Sequence, residues 1–509
     1  MMTPLMKTLP LIMSCLILLA AASQSQAEIQ LANIFGSNMV LQRGVPVTVW
    51  GTAGSGEKLT VRFASEKIET TADANGDWSV TLPPLPASSE GQALNVASEN
   101  EALEIRNVLV GELWHACGQS NMAMTVQWMP YGLPEVKADI ANADLPLIRF
   151  CSIHSDPQPE PLKELELSPG WAVCSPKNVT HFSGVCFYFA RKIQRELGVP
   201  VGIINTSRGG TPIEPFIPQA AFTSHPTLEK ELELAGREDL EALRRLPGGV
   251  YARDANWLPG RLFNSRLAPI MRLPVRGAIW YQGESNSGTQ EDPHDYAHKM
   301  RALIKGWRDA MHHQDMPFYF VQLPGSGAGA GWPYLREQQR LATDLPHTGM
   351  VVTLDIPGDG IHPANKIDVG QRLARWALAH DYGKQVPFSG PMFDRQEIDD
   401  NRIVVHFRHA DSGLMVAHKQ GLADPQPLPD GKLTHFEIAS SDGQWHAAEA
   451  TINGQTVIVT SPKVSTPIAV RYAYAVSPES VPLYNQHGLP ASPFCSKPEL
   501  LKYDPNLTK

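Results

Sequence analysis

A chain of 509 residues exceeds what one hydrophobic core sustains, so two to four domains are expected. Its composition, 42% hydrophobic and 19% charged, excludes a disordered or fibrous polymer. A net charge of -9 leaves no basic footprint for nucleic acid or an anionic membrane surface.

The first residues run Met1-Met-Thr-Pro-Leu-Met-Lys7, then a mostly apolar stretch over 9–22, then Ser25-Gln-Ala27 before Glu28. This order of basic, apolar and small residues predicts a secretory signal peptide over 1–27. The apolar stretch falls short of the ~20 residues a membrane-spanning helix needs, and no later segment approaches that length. Cys15 lies too deep in the stretch for lipoprotein processing. The expected location is periplasmic or extracellular, with no membrane attachment after cleavage.

Residues 28–107 carry short alternating segments, among them Val47-Thr-Val-Trp-Gly51, Leu59-Thr-Val-Arg-Phe63 and Trp78-Ser-Val-Thr-Leu82. Turn signals such as Ala53-Gly-Ser-Gly56 and Ala74-Asn-Gly-Asp77 separate them, which predicts a small β-sandwich. Five cysteines follow the leader: Cys117, Cys151, Cys174, Cys186 and Cys495. Their odd number and wide spacing fix no disulfide connectivity, and without a Cys-x-x-Cys pair they read as structural.

Over 108–385 the pattern changes to α/β. Buried parallel strands are expected at Val201-Gly-Ile-Ile-Asn205, Gly277-Ala-Ile-Trp-Tyr281, Phe318-Tyr-Phe-Val-Gln-Leu323 and Met350-Val-Val-Thr-Leu354. Helices are expected over 183–197, 296–311, 334–343 and 366–380. Such alternation predicts a doubly wound parallel sheet with its site at the carboxyl ends of the strands. Residues 227–245, dense in Glu, Leu and Arg, read as a charged surface helix inserted into this unit. Over 386–509 strand-like runs return, including Arg402-Ile-Val-Val-His-Phe407, Thr456-Val-Ile-Val-Thr460 and Ile468-Ala-Val-Arg-Tyr472, and predict a second β-rich domain.

Three segments of the α/β region carry chemistry. In Gly118-Gln-Ser-Asn-Met122 a serine stands where a sharp strand-to-helix turn exposes a nucleophile and sets its backbone N–H at a helix N-terminus, which favours negative charge. Met122 occupies the position of the second glycine of a G-x-S-x-G elbow, so another hydrolase class is indicated. In Asp355-Ile-Pro-Gly-Asp-Gly-Ile-His-Pro, His362 follows a predicted strand, and either Asp359 or Asp355 could orient its ring. In Trp280-Tyr-Gln-Gly-Glu-Ser-Asn286, Gln282 and Asn286 offer side-chain amides to an oxyanion, and Glu284 could brace the site. The turn Asn205-Thr-Ser-Arg-Gly-Gly-Thr211 adds glycine N–H groups.

In this order, Gly118-Gln-Ser-Asn-Met122, Gly209-Gly-Thr-Pro212, Trp280-Tyr-Gln-Gly-Glu-Ser-Asn286 and Ile361-His-Pro-Ala-Asn-Lys366 resemble the blocks of the sialate O-acetylesterase family of SGNH hydrolases. Met39-Val-Leu-Gln-Arg43 and Tyr484-Asn-Gln-His-Gly-Leu-Pro-Ala-Ser-Pro-Phe494 extend the resemblance to nearly the whole mature chain. It implies a flavodoxin-like sheet and a serine esterase with no metal or other cofactor. It also implies Ser120 as nucleophile, His362 as base and Asp359 as acid, with a Ser-His dyad the alternative. Gly209 or Gly210 and the block from Gln282 to Asn286 would supply the oxyanion region. The implied substrate is an O-acetylated sugar, with sialate 9-O-acetyl esters first and acetylated xylan or pectin oligosaccharides as alternatives.

Two rival readings come from other classes. His294 and His298 stand at helical i, i+4 spacing, as zinc ligands can, but lack the Glu after the first histidine and an evident third ligand. A non-catalytic carbohydrate-binding protein would use the two β-rich regions and would have no need of all four blocks. The oligomeric state has no signature in the sequence.

Overall fold

The computed structural model describes residues 28–167, 170–246, 249, 252, 254–287, 293–325, 329–356, 358, 360–501 and 503. The expected signal peptide and Asp359 therefore lie outside the described residues, as does the side chain of His294.

The architecture is mixed α/β with additional β-rich sheets. Its centre is a sheet of six parallel strands: β1 (Ala102–Gly118), β2 (Leu145–Ser152), β3 (Val201–Asn205), β4 (Gly277–Tyr281), β5 (Phe318–Val321) and β6 (Thr348–Val351). Their spatial order is β2-β3-β1-β4-β5-β6, with the short strand Ala172–Cys174 antiparallel on the β2 edge. The chain leaves β1 toward β2 and β3 on one side and then crosses to β4 on the other. The carboxyl end of β1 is thus the point where strand order reverses, where ligand clefts form in open α/β sheets.

Strands β3 and β4 are buried at every position, as expected of a sheet covered on both faces. Helices α1 (Gly184–Leu197) and α4 (Lys366–His380) pack against each other, as do α2 (Tyr296–Ala310) and α3 (Gly331–Leu341). Adjacent β1 residues separate the two faces: Trp114 meets Phe189 of α1 edge-on, and His115 stacks on Trp307 of α2. Where α1 and α4 cross, Gly370 comes so close that an added Cβ would lie 2.5 Å from the Val185 carbonyl oxygen.

β1 is 17 residues long and belongs to two assemblies. Its first half pairs antiparallel with Ser88–Ala97, and Val40–Gln42 runs parallel to its middle. Its second half is the central strand of the parallel sheet. The expected boundary between residues 107 and 108 falls inside it. At this junction Glu112, fully buried, is paired with Arg43 (2.5 Å) and Arg276 (2.9 Å). One continuous hydrophobic core runs from Ile29 through the parallel sheet to Phe494.

Residues 392–495 form antiparallel sheets, one of Met392–Asp399, Arg402–Arg408, Thr456–Thr460 and Glu449–Asn453, another built on Phe436–Ser440 and Pro467–Tyr472. The charged stretch expected as a single helix is two, Pro226–Gly236 and Leu240–Arg244, broken where Glu238 takes φ +52°. It is also anchored: Glu231, buried, lies 3.0 Å from the Lys299 ammonium of α2. All five described cysteines are buried free thiols, and burial pushes the Cys117, Cys151, Cys174, Cys186 and Cys495 thiols up to about 12. No helix among the described residues is long and apolar enough to cross a membrane.

Candidate active site

Ser120 and His362 meet at the carboxyl ends of β1 and β6, with Ser120 Oγ 2.7 Å from His362 Nε2. The turn that presents Ser120 depends on Gly118. This residue has φ +140°, and a Cβ there would lie 2.1 Å from the Tyr281 carbonyl oxygen of β4. Only glycine lets β1 end so close to its neighbour. Gln119 N–H then donates to that same Tyr281 carbonyl at 3.0 Å. The helix that follows, Ser120–Ala123, is a single turn, so its dipole contributes far less than expected from the sequence. What fixes Ser120 is the network behind it.

In that network Asn121 is the hub. Its Nδ2 donates to Glu284 Oε1 and, at 2.8 Å, to the Ile361 carbonyl oxygen, while its Oδ1 accepts from Lys366 Nζ. Asn121, Glu284 and Lys366 are all buried, and Lys366 Nζ also sits 5.5 Å from the Tyr281 ring centroid. Burial pushes the Glu284 carboxyl up to about 7 and the Lys366 ammonium down to about 7. The expected bracing residue Glu284 therefore meets Asn121, next in sequence to Ser120. Burial, and then the Lys366 charge, pulls His362 below its ordinary value.

The side chains of Gln282 and Asn286, expected as oxyanion donors, are engaged in the framework. Gln282 Nε2 donates to Gln119 Oε1 (3.1 Å), the Thr211 carbonyl (3.2 Å) and Asn286 Oδ1 (2.8 Å), while its Oε1 accepts from Tyr296 (2.7 Å). Asn286 Nδ2 donates to both Glu214 oxygens at 2.9 and 3.2 Å, and its Oδ1 accepts from Ile213 N–H. Both hold the 209–214 loop against the 282–286 loop. That loop in turn sets Gly209 beside Ser120, since a Cβ on Gly209 would lie 3.8 Å from Ser120 Cβ. Gly210, at φ +68°, is exposed and forms the turn.

Asp355, the competing carboxylate, is taken. It forms a two-pronged ion pair with Arg372, both contacts at 2.7 Å, and is buried behind the loop. Asp359 falls outside the described residues. His298 stacks on His225 with ring centroids 3.7 Å apart. Among the described residues no group of three His, Cys, Asp or Glu could hold a metal ion.

Asn121 and Lys366 had no assigned role in the sequence reading, although both stand inside its blocks. The signal available was position: one follows Ser120 directly and the other lies four residues after His362.

A family model for carbohydrate esterases, sialic acid-specific acetylesterases, matches residues 252–379. The sialate O-acetylesterase of Mus musculus is 26% identical over 95% of this chain and 97% of its own. That of Homo sapiens is 27% identical over 91% of each. The crystal structure of a carbohydrate acetylesterase from Xanthomonas citri is similar with a TM-score of 0.80 and 32% identity, covering 92% of this chain and 99% of that one. Fold and likeness together define a carboxylic ester hydrolase of the carbohydrate-esterase class. The chain belongs to the sialate O-acetylesterase family.

Proposed function

We propose that this enzyme removes O-acetyl groups from carbohydrate by serine catalysis, with Ser120 as nucleophile and His362 as general base. The observation that carries this reading is the 2.7 Å contact between Ser120 Oγ and His362 Nε2 at the strand-order reversal. Ser120 Oγ attacks the acetyl carbonyl carbon as His362 Nε2 takes its proton. The oxyanion is held by the backbone N–H groups of Ser120 and Gly209, with Gly210 shaping the turn. Collapse expels the sugar oxygen, which His362 protonates, and leaves an acetyl-Ser120 ester. Water, activated by the same imidazole, then releases acetate and restores Ser120.

Asp359 is the proposed orienting acid, supported by its position three residues before His362 and by the engagement of Asp355 with Arg372. The parallel strands other than β2 follow the flavodoxin-like order 2-1-3-4-5, which supports an SGNH-type sheet with β2 as an added strand. Residues 28–107, 108–385 and 386–509 are proposed as three domains, behind a leader over 1–27 that exports the enzyme.

The names of the sialate O-acetylesterase relatives make O-acetylated sialic acid the first substrate to test, and acetylated xylan or pectin oligosaccharides follow. The test is acetate release across these three classes and from 4-nitrophenyl acetate, with wild type and Ser120→Ala side by side. Turnover lost with Ser120 supports the reading. Binding of acetylated glycan without turnover overturns it in favour of a carbohydrate-binding protein.

A further inference from the structure

Resting on the esterase reading, we propose that the cleft beside His362 is a stacking subsite for an uncharged pyranose ring of an acetylated saccharide, with Trp128 and Tyr131 as its platform. Exposed large hydrophobic side chains are few among the described residues, and two of them are neighbours here: Trp128 is 57% exposed and Tyr131 84%. Their rings lie 5.8 Å apart at 31°. Large aromatic rings left in water beside a reaction centre mark a binding surface.

The platform is rigid. It sits on the 3-10 helix Val126–Tyr131, whose Val126 and Met129 are fully buried on the opposite side. Met124 N–H donates to the Ser120 carbonyl at 2.7 Å, and Val126 N–H donates to Phe182 at 2.8 Å, so the aromatic turn is tied to the turn that carries Ser120. Gly132 packs so closely on the His362 loop that an added Cβ would lie 2.8 Å from Ala364 Cβ.

Between these parts lies an open cavity of about 520 Å³, lined by Met124, Trp128, Tyr131, Leu133 and His362, with Gly421 from the C-terminal β region as its far wall. That wall is pinned by Lys419, which bridges Asp368 of α4 (3.0 Å) and the Ala423 carbonyl (3.0 Å). Among the described lining residues none is Lys, Arg, Asp or Glu. A surface of aromatic faces with no cation among its described lining residues suits the C–H face of a neutral sugar better than the carboxylate of a sialic acid.

The test compares Trp128→Ala, Tyr131→Ala and Trp128→Phe with wild type on an acetylated xylo-oligosaccharide, on O-acetylated sialic acid and on 4-nitrophenyl acetate. Both alanine variants should raise KM for the xylo-oligosaccharide about tenfold or more, leave 4-nitrophenyl acetate within twofold, and Trp128→Phe should recover most of the loss. An unchanged xylo-oligosaccharide KM, or an equal loss on 4-nitrophenyl acetate, overturns the subsite. So does wild-type turnover of O-acetylated sialic acid with none of the neutral saccharide, and in that case the esterase reading stands. Failure of wild type on all three substrates overturns the esterase reading instead.

Discussion

Asn121 Nδ2 donates to the carbonyl oxygen of Ile361 at 2.8 Å, joining the residue after Ser120 to the residue before His362 across 240 positions of sequence. Ser120 and His362 are thereby held in register by one side chain whose hydrogen bonds go to Glu284, Ile361 and Lys366. Replacing it should therefore lower the rate through misplacement, which can cost about a hundredfold for a shift near 1 Å. Asn121→Ala is expected to lower kcat on every acetyl ester tested while leaving KM nearly unchanged. A kcat within about threefold of wild type would show that the backbone alone keeps the pair aligned.

Ser120→Ala and His362→Ala should each abolish turnover to a similar extent, because a nucleophile and its base, the roles proposed for them, act as a unit, and the double variant should be little worse than either single one. His362 is exposed beside the open cleft and Ser120 is only half-buried, so thermal denaturation midpoints should stay within a few degrees of wild type. Additive losses in the double variant would mean the two residues work independently.

The two aspartates of the 355–362 segment should separate cleanly. Asp355 is buried in a two-pronged pair with Arg372, and its removal leaves an uncompensated guanidinium, so Asp355→Asn should cost stability on the order of 3–5 kcal/mol. Asp359→Asn should leave stability unchanged and lower kcat about 10²–10⁴-fold if Asp359 orients the ring. A normal rate for Asp359→Asn identifies a Ser-His dyad. Urea denaturation and initial rates on the same preparations distinguish these outcomes.

If His362 is the general base proposed above, the pH profile follows from it. A base must be neutral to act, and burial together with the Lys366 charge lowers its pKa below the ordinary value of about 6.5. Activity should thus rise with pH and level off on the acid side of neutrality. The acid limb of kcat/KM is expected to have its midpoint below pH 6.5 if burial and Lys366 dominate, and a midpoint above 7 would show a carboxylate such as Asp359 stabilising the charged ring.

Gly118 admits no substituent. Gly118→Ala drives a methyl group into the Tyr281 carbonyl, 2.1 Å away, and should cost about 1–3 kcal/mol from overpacking alone, with loss of activity as Ser120 shifts. Stability and rate should fall together, unlike in Ser120→Ala.

Much of this molecule is legible in its sequence where pattern and burial coincide. Val201–Asn205, Gly277–Tyr281 and Lys366–His380 occur as their apolar patterns predict. The last strand starts earlier than expected, at Thr348, and the expected run to Leu354 ends at Val351, because Val352, Thr353 and Leu354 are buried in a loop rather than paired in the sheet. Ser120 and His362, singled out in sequence because the proposed chemistry requires those residue types, lie 2.7 Å apart in the fold. Gln282 and Asn286 illustrate the limit. An amide in a polar loop looks the same in sequence whether it faces a substrate or another loop, and here both face Thr211 to Glu214. Trp128 and Tyr131 left no signal because apolar residues on a short turn are ordinarily core, as Val126 and Met129 are.

The strand Ala102–Gly118 serves two sheets at once, and Ser120 hangs from its far end. A truncation that trims the first hundred residues would strip hydrogen-bonding partners from the same backbone that delivers Ser120, the proposed nucleophile, and would expose the row of N–H and C=O groups now paired with Ser88–Ala97. The amino-terminal region is consequently no detachable appendage. Any recombinant fragment or chimera meant to retain activity has to carry it, and grafts are better joined at surface turns such as residues 54–56 than at the seam between sheets.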